Sequence, residues 1–82
     1  MTYIIVVKDH MIENERLSYY QFGYPVGSAE EARSLIYARE PEGVATILGH
    51  IDEESHTYLY YETSLETGEV VRELLVKRIT EI

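Results

Sequence analysis

The 82-residue sequence predicts an α+β fold: an antiparallel β-sheet of four to five strands with one α-helix packed on one face, in the order ββαβββ. Two observations point there. Short runs rich in β-branched and aromatic residues recur along the chain, separated by polar or glycine-bearing turns. One stretch of helical spacing interrupts them, at residues 28–39, and a capping signal opens it. The length allows one domain, residues 1–82.

The elements follow in order. Tyr3 to Lys8 is a short apolar, β-branched run that reads as a buried strand, with room to continue to Ile12. The polar cluster Glu13 to Arg16 reads as a turn, and Leu17 to Tyr24 as the returning strand of a hairpin. Gly23, Pro25 and Gly27 close that unit. Ser28 is the expected N-cap, because Glu31 falls three residues later and closes a capping box. Glu30 and Glu31 in the first turn suit the positive end of the helix dipole. Ala29, Ala32, Leu35, Ile36 and Arg39 form the stripe, and Pro41 stops the helix near Arg39.

Val44 to Ile51 returns to strand character, with Gly49 as a weak point or a bulge. A polar loop at Asp52–Ser55 leads to a Tyr- and Thr-rich strand from Thr57 to Leu65. Glu66, Thr67 and Gly68 fit a three-residue hairpin with glycine in the left-handed position. The last segment, Glu69 to Ile79, also fits a helix, but Arg78 and Glu81 would then fall in its apolar stripe. As a strand it sets Arg72 opposite Glu62, a favourable cross-strand pair. Tyr58, Tyr60, Leu74 and Val76 would then share one face, and Leu59, Leu65, Val71, Leu75 and Ile79 the other. Both faces would be apolar, and one three-turn helix covers only one of them. A homodimer that covers the second face is the economical expectation.

Composition narrows the chemistry. There is no cysteine, which removes disulfides, thiolate nucleophiles and thiolate metal sites. No apolar run reaches the ~20 residues a membrane helix needs, and no signal-peptide pattern leads the chain, so a cytoplasmic location is expected. The net charge is −8. Between Arg39 and Arg72 stand eight acids and no Lys or Arg, so this stretch alone accounts for the imbalance. Such a field disfavours direct binding to nucleic acid or an anionic membrane surface.

Phosphate-binding glycine loops and nucleophile-elbow patterns are missing, and no catalytic residues or cofactor are expected. The metal-like cluster His50, Asp52, Glu53, Glu54 and His56 has acceptable ligand types. With a loop at Asp52–Ser55, however, Ile51 would pair with His56 and His50 with Thr57. The two histidines would then point to opposite faces, and no metal site would form unless the register slips or Gly49 carries a bulge. His10 reads as a turn-side histidine.

The resulting expectation is a non-enzymatic module that docks a basic protein partner, in its sharper form an inhibitor that mimics phosphates, as small acidic inhibitors of phages and mobile elements do. Asp52, Glu53, Glu54, Glu62, Glu66 and Glu69 would supply the field, and Tyr58, Tyr60 and Tyr61 the anchors. A ligand-binding or enzymatic pocket lined by tyrosines at a dimer seam, and a structural assembly role, are the alternatives. Hairpin connectivity divides the acids, placing Asp52–Glu54 at one end of the sheet and Glu66 and Glu69 at the other.

Overall fold

The structure, a computed structural model, describes residues 2–11, 19–39 and 41–79. Its elements are Thr2–Asp9 (β1), Tyr19–Val26 (β2), Ala29–Arg39 (α1), Val44–Asp52 (β3), Thr57–Ser64 (β4) and Val70–Ile79 (β5). One five-stranded sheet has the order β2-β1-β5-β4-β3, and every neighbouring pair is antiparallel. The predicted class and element order are those observed, and 70–79 is a strand. Ile12 and the expected turn at 13–16 lie outside the described residues, as do Leu17 and Ser18.

β1 lies inside the sheet, between β2 and β5, because its sequence is apolar on both faces. Tyr3, Ile5 and Val7 are buried beneath the helix, and Ile4 and Val6 look the other way. Opposite them on β5 stand Arg78, Val76 and Leu74 under the helix, with Lys77 and Leu75 on the far side. Helix α1 lays Ala32 and Ile36 into the core, and Ala29 and Leu35 pack at its edge. Ser28 Oγ accepts from the Glu31 amide at 3.1 Å. Glu31 Oε2 accepts in return from the Gly27 amide at 3.0 Å, one residue earlier than the usual box partner.

The last hairpin has the predicted register: Tyr58 faces Val76, Tyr60 faces Leu74 and Glu62 faces Arg72. Gly68 has φ +75°, the left-handed value the turn requires. Leu65 departs from the expectation. It lies past the end of β4 and stands exposed in the turn instead of on the sheet face.

The β3–β4 hairpin differs by a register step. Asp52 pairs with Thr57, Ile51 with Tyr58 and His50 with Leu59, so the loop is residues 53–56 and not 52–55. Asp52 explains the shift. Its Oδ1 accepts from the amides of Glu54 at 3.1 Å and Ser55 at 3.3 Å, which starts the turn one residue later. His56 takes φ +52° to close it. The irregularity between Leu48 and His50 is the bulge anticipated at Gly49. A Cβ at that glycine would lie 1.9 Å from Cε2 of the Tyr61 ring, so the ring occupies the space a side chain would need.

Helix α1 packs on β1, β2 and β5 and leaves β3 without a cover. The opposite face of the sheet has no described element across it. No described helix is long and apolar enough to cross a membrane.

Candidate docking groove and acidic turns

β3 runs along an edge of the sheet with no helix above it. Its apolar residues Ile47, Leu48 and Ile51 are therefore exposed by 45% or more. Leu48 and Ile51 face the helix side, because they pair with Tyr60 and Tyr58. Between them and α1 opens a groove of about 260 Å³, lined by Ala29, Glu30, Arg33, Tyr37, Leu48, Ile51, Tyr58 and Tyr60. Tyr37 meets Tyr60 edge to face, with ring centroids 6.0 Å apart. The Arg33 guanidinium lies 5.6 Å over the Tyr37 ring. Most of the wall is apolar or aromatic, the composition that anchors a partner side chain.

Ile51 leads directly into the acidic turn, where Asp52, Glu53 and Glu54 stand exposed, Asp52 turned to the face away from α1. Hydrogen bonds from the Ser55 side chain and amide hold the Asp52 carboxyl below the usual range, with the Glu54 amide and nearby His50 adding to the effect. Burial pushes the Tyr60 phenol up; Arg33 opposes this, and Tyr37 and Tyr58 reinforce it.

Of the residues expected to form one binding surface, half-buried Tyr58 lines the groove, and exposed Glu53 and Glu54 follow Ile51 in the turn beyond it, while Asp52 faces the other side of the sheet. Tyr60 lines its floor but is only 5% exposed and belongs to the core, so it is no free anchor. Tyr61 points to the opposite sheet face, across from Glu73 and Ile47. Glu62 adds nothing to a surface field, because it is wholly enclosed. Glu66 and Glu69 are exposed at the other hairpin turn, at the far end of β4. That end also carries Glu42, beside Gly43, whose carbonyl accepts from the Leu65 amide. The acids therefore do form two separate ends, about 26 Å apart by the rise of an eight-residue strand.

Sequence reasoning missed Leu48, Ile51, Tyr37 and Glu30 as groove residues. The available signal was the pair Ile47–Leu48 on an edge strand, since two adjacent apolar residues cannot both be buried by one helix.

Two further clusters carry charge. Under the C-terminal end of α1, Arg72 donates from Nε to Asp9 Oδ2 at 3.0 Å and from Nη1 to Glu62 Oε1 at 3.2 Å. Arg39 approaches Glu62 at 3.6 Å while its guanidinium lies 4.9 Å over the Phe22 ring. Burial works to lower the Arg72 pKa, but the hydrogen bonds and charges of Asp9 and Glu62 outweigh it and hold the group above its ordinary value. On the uncovered face, His10 Nε2 lies 2.6 Å from Glu73 Oε2. Among the described residues no group of three or more His, Asp or Glu side chains is placed to hold a metal ion. His50 and Asp52 share the uncovered face after the register shift, but His56 sits in the turn.

Comparison with protein-family models, curated proteins and solved structures found no match for this chain.

Proposed function

We propose that this chain is a small, non-enzymatic protein-binding module of the cytoplasm that docks a basic partner in the groove between α1 and β3. The observation that carries the reading is the meeting of an open aromatic and aliphatic groove with an exposed acidic turn. Leu48, Ile51, Tyr37 and Tyr58 supply apolar area, Glu30 stands in its wall, and the exposed Glu53 and Glu54 follow Ile51 in the adjoining turn. Carboxylates at a rim steer a cationic partner into encounter, while the desolvated centre holds it. The β3 edge adds unpaired backbone groups that an extended segment can join by strand addition. An inhibitor of a nucleic-acid-binding protein, such as a phage or mobile element would carry, fits this chemistry through one acidic turn. The separation of the two acidic ends argues against an extended phosphate mimic.

The test is affinity capture from host lysate at low and moderate salt, followed by binding measurements with the purified partner. A basic protein should be retained at low salt and released as salt rises. Its affinity should fall about tenfold or more for Leu48→Asp and for Glu53→Lys/Glu54→Lys. Unchanged affinity in both variants would sink the groove assignment.

One observation favours a second reading. His10 and Glu73 form a histidine–carboxylate pair beside a depression lined by Val6, Lys8, Tyr19, Leu59, Glu73 and Leu75. Closed by another surface, this would become a polar-edged pocket for a small ligand. Chemical-shift changes at His10 and Leu59 on screening small metabolites would support it, and silence there would remove it.

A further inference from the structure

The sheet face turned away from α1 is apolar along its middle row and uncovered by any described element. On the central strand β5, Glu73, Leu75 and Lys77 all point to it, with Val6 of β1 and Leu59 of β4 on either side of Leu75. We propose that a second copy of this chain covers that face, about a two-fold axis running across the strands through Leu75. Lys77 of each copy then pairs with Glu73 of the other.

Charge selects this occupant. The chain carries −8, so two copies repel wherever acid meets acid. Among the described residues this face holds Lys8 and Lys77 against Glu73 and Asp52, a balance of zero. It is therefore a surface on which two like-charged copies meet at little electrostatic cost, and a basic partner finds no net field there. The order along β5 is also self-complementary. Turning the strand end for end about Leu75 carries the lysine over the position of the glutamate, as an isologous interface requires. These contacts lie on the axis in the middle of the sheet, so the ~30° angle between aligned packed sheets displaces them little.

Area agrees. Five strands at ~4.8 Å spacing and about 26 Å of length give a flat footprint of roughly 600 Å², before side-chain relief is counted. A standard interface takes about 800 Å² per partner.

Sedimentation equilibrium up to about 100 µM, with carbodiimide cross-linking of the unmodified chain, tests the proposal. Glu73 and Lys77 of one chain lie about 13 Å apart along the strand, too far for a zero-length bond. A Glu73–Lys77 cross-link found in the dimer band therefore reports the seam. Leu59→Asp and Lys77→Glu should each weaken the dimer about tenfold or more, and Glu73→Lys/Lys77→Glu should recover most of the loss from Lys77→Glu, with circular dichroism confirming each fold. A monomer throughout the range overturns the proposal. So does a dimer without that cross-link whose affinity none of these changes alters, which would place association at the β3 edge. Neither result touches the groove, which lies on the other side of the sheet.

Discussion

Arg72 on β5 and Glu62 on β4 stand directly opposite one another and meet at 3.2 Å, with Glu62 wholly enclosed. The same guanidinium holds Asp9, which is also buried, at 3.0 Å. Removing it leaves buried Asp9 without its guanidinium and Glu62 with only Arg39, 3.6 Å away. Arg72→Met should cost about 3–5 kcal/mol, measured by urea denaturation. Adding Glu62→Gln should recover part of that cost, because a neutral amide is cheaper to enclose than an unpaired charge. A loss no larger than that of an exposed substitution would show that the cluster is open to water.

Gly49→Ala should force the Tyr61 ring out of its place and cost about 1–3 kcal/mol. In a Tyr61→Ala background most of that cost should vanish. The double-mutant cycle on thermal or denaturant unfolding measures this directly.

Ser28→Ala removes the acceptor of the Glu31 amide and should lower stability by about 1 kcal/mol. Ser28→Thr, which keeps the oxygen, should lose less. Denaturant midpoints of the two variants decide it.

Asp52 sits below its ordinary pKa in the folded chain. Its stabilising bonds to the turn are therefore intact above the unfolded value and lost as pH falls through the folded one, below about pH 4. In an NMR titration its carboxyl should ionise lower than the unfolded reference. The Glu54 and Ser55 amides should shift with it. Asp52→Asn should keep those amide bonds with no titration, since its oxygen remains an acceptor.

Tyr60 behaves in the opposite sense. Its folded pKa is raised by burial, so its contribution is complete below the unfolded value of about 10 and is lost as pH rises through the folded value. Stability measured from pH 9 upward should fall, and Tyr60→Phe should flatten the decline.

Much of this fold was legible in local chemistry. The capping box, the stop before Pro41, the left-handed Gly68 and the Glu62–Arg72 register each follow from residues close together or from one favourable pair. The register of the β3–β4 hairpin was not, because Asp52 serves both as last strand residue and as acceptor for the turn amides, and composition does not say which role starts the loop. The groove was hidden for a different reason. Which strand the helix leaves bare depends on the order β2-β1-β5-β4-β3, and that order is fixed by long-range pairing of β1 with β5. Sequence also marked Glu62 and Tyr60 as surface candidates by residue type alone, whereas their position under α1 encloses both.

The pairing of β1 with β5 also bears on how the chain comes to be folded. Asp9 and Arg72, 63 residues apart, are joined across the middle of the sheet. During synthesis β1 has only β2 beside it until β5 emerges, and β3 and β4 can form no more than a detached hairpin. A nascent chain halted before residue 70 should therefore show one open strand edge on each half and no common core. Closure should then come late, and slowly for a chain of this size, because the loop it shuts is nearly the whole molecule.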